Sequence, residues 1–216
     1  MLLQDRKDAG KKLAAMLNRY AGAKGMIVLG LPRGGVPVAY EVAVALGLPL
    51  DVFIVRKLGF PEHEELAMGA IASGNVLILN QELLDEIGVQ DEIIEMVARR
   101  EREELRRREE LYRRGRPPLC LSNRGVIIVD DGLATGASMR AAVAAVRQHN
   151  PKETIVAVPL AAAEVCAEFS RIADKMFCYA IPEPFWAVGY WYKDFEQTTD
   201  SEVQSLLDIA ARSSAA

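Results

Sequence analysis

The chain has 216 residues, 26 basic and 30 acidic, half of them apolar and about a quarter charged; that is one full domain with an elaboration, or at most two small ones, and it excludes disorder. The formal net charge of −4 gives no broad attraction for nucleic acid, so none is expected as a partner, and any anionic ligand has to be held locally. The three cysteines, Cys120, Cys166 and Cys178, are odd in number and lack a C-x-x-C pair, which writes neither a disulfide framework nor a zinc site.

Met1-Leu2-Leu3 turns polar by Gln4-Asp5-Arg6-Lys7, too early for a secretory leader, and no run approaches the ~18 apolar residues of a membrane helix. A cytoplasmic protein without membrane contact is expected. Ala9, Leu13, Met16, Leu17 and Tyr20 recur at helical spacing and predict an amphipathic first helix over 5–20. A strand over 26–29, a glycine loop at Pro32-Arg33-Gly34-Gly35 and a helix over 38–46 follow. Asp51 to Val55 reads as a second strand. Leu66 to Ala72 and Val76 to Leu79 flank Ser73-Gly74-Asn75 as a hairpin expected outside the main sheet.

Residues 91–116 hold nine arginines and eight acids, with glutamate four before arginine at 95/99, 103/107, 104/108, 109/113 and 110/114. That order favours an exposed helix, each pair contributing about 0.2–0.5 kcal/mol. Its apolar line, Ile94, Ala98, Leu105 and Tyr112, is thin. It predicts a solvated arm with one packing edge, an RNA- or partner-binding arm being the alternative. From Gly125 the chain alternates again: strand 126–129, helix 136–148, strand 154–158, helix 161–169, strand 175–179. Repeated βα units with short links predict an α/β fold, a parallel sheet flanked by helices. An irregular aromatic tail, 181–195, and a last helix, 200–211, close the chain.

The chemistry concentrates in Val126-Ile127-Ile128-Val129-Asp130-Asp131-Gly132-Leu133-Ala134-Thr135-Gly136-Ala137-Ser138. Four buried strand residues deliver two carboxylates to the strand's C-terminal end, where open α/β sheets bind ligands. The loop Ala134, Thr135, Gly136, Ala137, Ser138 then opens a helix, aiming backbone N–H groups and the positive end of the dipole at one place suited to phosphate. Carboxylates there suit hydroxyl donors such as ribose. The plainer reading makes Asp130-Asp131 a turn and Thr135 or Ser138 a helix cap. At Arg33-Gly34-Gly35, paired glycines let backbone amides approach an anion and arginine adds a cationic fork, against a tight turn with a surface arginine. Arg56-Lys57 places positive charge at a strand end, and Phe185-Trp186 offers a face for a flat heterocycle or simply packs on the core.

Residues 126–138 resemble the 5-phosphoribosyl-1-pyrophosphate (PRPP) motif of the type I phosphoribosyltransferases. Arg33-Gly34-Gly35 is similar to the pyrophosphate loop of the xanthine enzymes, where the family often has a strained or cis peptide. Arg56-Lys57 resembles the opening of the catalytic loop of the orotate enzymes, implying that Lys57 or Arg56 contacts pyrophosphate and that 59–65, with His63 as a candidate proton donor, closes over the site. The tail 181–190 resembles the hood of the hypoxanthine-guanine enzymes, implying that Phe185 or Trp186 stacks on the base. Ala134 stands where those enzymes carry an aspartate, and Pro159-Leu160 where they carry a lysine. The wording Asp-Asp-x-Leu-Ala-Thr-Gly is closer to the adenine enzymes, which makes Glu64 or Glu65 the candidate proton acceptor by analogy.

The resemblance covers essentially the whole chain. It implies a single domain with a core over about 22–80 and 122–180, a charged helical insertion over about 81–118, and a C-terminal hood over about 181–216 completed by the N-terminal helix. It also implies Mg2+ held mainly through substrate with help from Asp130 and Asp131, PRPP and a nitrogenous base (a purine favoured) as ligands, and a homodimer. A non-catalytic sensor of PRPP or a nucleotide remains the alternative. On this reading Asp131→Asn removes charge from a solvent-facing strand end and should harm turnover far more than stability.

Overall fold

The computed structural model describes residues 3–61 and 63–213, the side chains of Glu64, Glu65 and Ser213 excepted. Five short apolar runs form one parallel sheet in the order β2-β1-β6-β7-β8, made of β1 (Met26–Gly30), β2 (Leu50–Val52), β6 (Gly125–Val129), β7 (Glu153–Leu160) and β8 (Lys175–Ala180). β1 and β6 are buried at every position, as strands covered on both faces require. Successive residues serve opposite cores. Val28, Ile127, Val129, Ile155 and Ala157 face one core, packed by α1 (Arg6–Met16), α2 (Gly35–Leu46), α4 (Asp91–Arg113) and α7 (Asp200–Ser213). Ile27, Leu29, Val126, Ile128 and Val156 face the other, under α5 (Ala137–Gln148) and α6 (Ala163–Ile172).

Because β1 is followed by β2 on one side and has β6 on the other, the chain reverses direction across the sheet between β1 and β6. In open α/β sheets that switch point opens a crevice at the strands' C-terminal ends. The glycine loop follows β1 and the acid pair follows β6, so the topology brings together two segments about a hundred residues apart.

A second, antiparallel sheet, β3 (Val55–Phe60), β4 (His63–Ala72) and β5 (Val76–Leu79), stands apart from the first; β4 and β5 form the predicted hairpin, and β3 is a strand the sequence reading did not have. The expected second strand, 51–55, is corrected by it. β2 ends at Val52, and Ile54 is tied by its N–H to Ser73 Oγ (3.0 Å) while its carbonyl accepts the Ser73 N–H, so Val55 already belongs to the other sheet. An unbroken apolar run does not show where one strand hands over to the next. A short helix, α3 (Gln81–Ile87), capped by Asn80, adds to the predicted elements.

The charged helix has the single packing edge that its apolar line predicts, with buried Glu101 added to it. Its thin apolar line, Ile94, Ala98, Leu105 and Tyr112, is buried against the first core, and buried Glu101 binds Arg56 of β3 at 2.6 Å. The pair 104/108 forms as predicted, but Arg113 turns away from its helix to Asp51 at 3.0 Å. α7 packs on α2 and α4, whereas the tail forms its own cluster with Leu3, Ala9 and Leu160.

Candidate active site

Gly34 and Gly35 lie directly on the acid pair. A Cβ at Gly34 would land inside the Asp131 carboxylate, and one at Gly35 would stand 2.8 Å from the Val129 carbonyl oxygen and 2.9 Å from Asp130 Oδ1. Leu31 N–H donates to the Val129 carbonyl at 2.9 Å, which locks the two loops together. The Pro32–Arg33 peptide is cis.

Beyond the acids, Leu133 is fixed by a bridge to Ala161 and an N–H bond to the Leu160 carbonyl at 2.8 Å. Gly136 then takes φ +72°, with no room for a Cβ beside Phe169 and Val165, and starts α5. Ala134, Thr135, Ala137 and Ser138 stay exposed around a cavity of about 180 Å³ that also takes in Asp130 and, from the tail, Val188. The first turn of a 12-residue helix, opened by exposed Ala137 and Ser138, has the form of an anion site.

Burial and the charge of Asp131 hold the Asp130 carboxyl well above the usual carboxylate range, and burial raises Asp131 as well. The opposing cation is Arg6, whose Nε lies 2.8 Å from Asp131 Oδ2; the sequence reading missed it. A basic pair in the first turn of a helix opposes the dipole, and Arg6-Lys7 was the signal that something outside α1 holds one of them. The Tyr192 hydroxyl donates to the Asp131 carbonyl at 2.7 Å.

The other expected site residues are dispersed. Arg33 Nη1 is 3.8 Å from Asp200 Oδ1, and the same oxygen accepts the Tyr112 hydroxyl at 2.6 Å. Burial, and then that link, push the Tyr112 hydroxyl up to about 12. Arg56 and Lys57 are not at the end of a main-sheet strand but inside β3, because the chain has already crossed to the second sheet. Arg56 is engaged by Glu101. Lys57 is exposed and lines a cavity of about 420 Å³ shared with Ala137, Ser138 and Arg140 of α5. The expected loop over 59–65 is corrected to strand at both ends, since β3 runs through Phe60 and β4 starts at His63, which is exposed and paired to Phe60; Glu62 and the side chains of Glu64 and Glu65 lie outside the described residues. Phe185 packs into the tail cluster, while Trp186 is 67% exposed and meets only the edge of Tyr190, at 4.9 Å, among ring contacts of the described residues.

Among the described residues no group of three or more metal-ligating side chains occurs. Two carboxylates beside an anion site still fit Mg2+, which keeps few protein ligands and binds through substrate phosphates.

The phosphoribosyl transferase domain model matches residues 2–194. The chain belongs to that family, and the resemblance drawn from residues 126–138 is borne out. It is 46% identical over 211 residues to "Putative phosphoribosyl transferase Rv0571c" of Mycobacterium tuberculosis, covering 98% of this chain and 47% of that protein. A second strain's "Putative phosphoribosyl transferase MT0597" gives the same figures, so the chain spans about half the length of these curated relatives. The crystal structure of TT1426 from Thermus thermophilus is 43% identical, with a TM-score of 0.85 over 96% of this chain and 98% of that one.

Proposed function

We propose that this domain is a Mg-dependent phosphoribosyltransferase that moves the 5-phosphoribosyl group from PRPP to a nitrogenous base, a purine for preference, and releases pyrophosphate. The observation that carries the reading is the direct packing of Gly34 and Gly35 on Asp131 and Asp130, which brings the glycine loop after β1 against the acid pair after β6. The 5-phosphate binds at Ala134 to Ser138, the ribose hydroxyls at Asp130 and Asp131, and pyrophosphate at Arg33 to Gly35 with Lys57 and Arg56. Asp130 and Asp131, together with the donor's phosphates, would hold Mg2+, which would supply neutralisation of charge on the leaving group. The protein's own part is to position the donor and to set carboxylates beside the ribose ring as it gains positive charge. Trp186 or Phe185 stacks on the base. The working form is a cytoplasmic homodimer, symmetric dimers being the commonest assembly.

One observation favours the second reading, a PRPP or nucleotide sensor. Arg33 and Arg56 are turned toward Asp200 and Glu101, and a sensor needs no cation on a leaving group. Calorimetry with PRPP and Mg2+, followed by a pyrophosphate-release screen over purines, pyrimidines and orotate, separates the two. Release with one base supports the enzyme, binding without release for every base supports the sensor, and absence of PRPP binding overturns both.

A further inference from the structure

The glycine loop after β1 sends its residues in two directions. Gly34 and Gly35 lie against the acid pair, whereas the Arg33 guanidinium reaches the start of α7, its Nη1 3.8 Å from Asp200 Oδ1. That separation is beyond hydrogen-bond range. Among the described residues Arg33 has no side-chain hydrogen bond and no other ion-pair partner. Both side chains stand partly in water, 36% and 44% exposed. A loose, hydrated ion pair of this kind contributes little to stability and gives up its partner readily.

Asp200 is held from its other side. The Tyr112 hydroxyl, on a ring buried in the first core, donates to the same Oδ1 at 2.6 Å. α7 packs on α2 and α4, so the carboxylate belongs to a fixed wall while the arginine belongs to a loop. When Arg33 leaves, Asp200 keeps its hydroxyl donor and its water, and the release costs no more than the exposed pair itself. A phosphate group, with several oxygens matched to the guanidinium fork, is a stronger claimant for Arg33 than a carboxylate 3.8 Å away.

We propose that Asp200 is an internal competitor for Arg33: the α7 carboxylate occupies the guanidinium that pyrophosphate takes over when the donor binds, and so sets the affinity of the leaving-group half of the site. The inference rests on the donor-site reading above, in which Arg33 to Gly35 hold pyrophosphate. It explains the direction of Arg33 within an enzyme, without a sensor. A structural tie between loop and helix would share this geometry but predicts the opposite sign. Cutting a tie loosens the loop and weakens pyrophosphate binding; removing a competitor tightens it.

Calorimetry with inorganic pyrophosphate and Mg2+ reads the leaving-group half of the site, and calorimetry with ribose 5-phosphate reads the other half. Asp200→Asn should tighten pyrophosphate binding about threefold, the scale of one exposed ion pair, with ribose 5-phosphate affinity unchanged. Exposed Glu202 lies in the same first turn of α7, and Glu202→Gln, which removes an equal charge without an ion pair to Arg33, should leave both affinities as in wild type. In an Arg33→Ala background, where pyrophosphate binds more weakly, Asp200→Asn should bring no gain, as a double-mutant cycle requires of a direct pair. If Asp200→Asn does not fold, Asp200→Ser, a residue that helix starts accept, carries the same comparison. Unchanged or weaker pyrophosphate binding on removal of the carboxylate overturns the proposal, as does a gain that Glu202→Gln matches or that survives Arg33→Ala. Those results leave the donor-site reading standing where Arg33→Ala by itself weakens pyrophosphate binding. Pyrophosphate that binds wild type and Arg33→Ala alike, or binds neither, sinks the donor-site assignment of Arg33 and the competition with it.

Discussion

Gly34 has ordinary right-handed dihedrals, φ −60° and ψ −30°, so what the position demands is space and not rotation. Gly34→Ala puts a methyl group where the Asp131 carboxylate sits and must displace its ion pair with Arg6. It should weaken PRPP binding by tenfold or more in calorimetry and lower the melting temperature, since breaking a largely buried pair costs about 3–5 kcal/mol. The same pair changes the expectation for Asp131→Asn. Asp131 is not at a solvent-facing strand end but bonded and mostly buried, so that variant should lose stability along with turnover. Asp130 has the opposite sign. Its carboxyl is held well above its ordinary 3.8 by burial and by Asp131, so the folded protein binds this proton more tightly than the unfolded chain. The stability this group contributes is therefore gained as pH falls from above the folded value toward 3.8, and above the folded value its buried charge is a burden. Asp130→Asn should raise the neutral-pH melting temperature, at about 2–4 °C per kcal/mol, flatten its dependence on acidification relative to wild type, and abolish PRPP binding; an unchanged melting temperature counts against it. In the tail, Phe185 lies in an apolar cluster while Trp186 stands in solvent. Trp186→Ala should weaken base binding with PRPP affinity and melting temperature preserved, whereas Phe185→Ala should cost stability.

At the scale of elements, α4 shows how a highly charged helix can be structural. Leu105 is 5% exposed in the first core, and Leu105→Ala should cost about 2–4 kcal/mol by the usual loss on emptying a buried leucine site. Glu103 is exposed, and Glu103→Gln should cost about 0.5 kcal/mol or less. Urea denaturation of both variants reads the difference, and equal small effects would restore the solvated arm. The helix also braces the site. Glu101 holds Arg56, Arg113 holds Asp51 within the edge strand β2, and Tyr112 shares Asp200 with Arg33. The glycine loop after β1 and the second sheet are thereby tied to the same strut.

For the whole molecule, the second sheet is separate in hydrogen bonding but not in packing. Leu58, Met68 and Ile71 belong to one core, and Ala72 and Val76 to the other. A single domain is therefore expected to unfold as one unit, with far- and near-ultraviolet circular dichroism giving coincident thermal transitions. Two resolved transitions would show the second sheet or the helical insertion melting alone.

How much of this was legible follows from the range of each interaction. Hydrophobic period and glycine placement are local, so the sequence by itself determined the five core strands apart from the end of the second, the hairpin, the buried line on α4, and the acid pair and small-residue loop at the end of β6. Those residues act through their own backbone and neighbours, and spacing reports them directly. Side-chain pairing across the fold is not local. Arg6 with Asp131, Arg56 with Glu101, Arg113 with Asp51 and Arg33 near Asp200 join residues between 45 and 167 positions apart, and a long cationic side chain takes whichever carboxylate packing brings within reach. The tertiary structure alone decided which cation faces the acid pair, because that depended on the tail clipping the N-terminal segment over the end of β6.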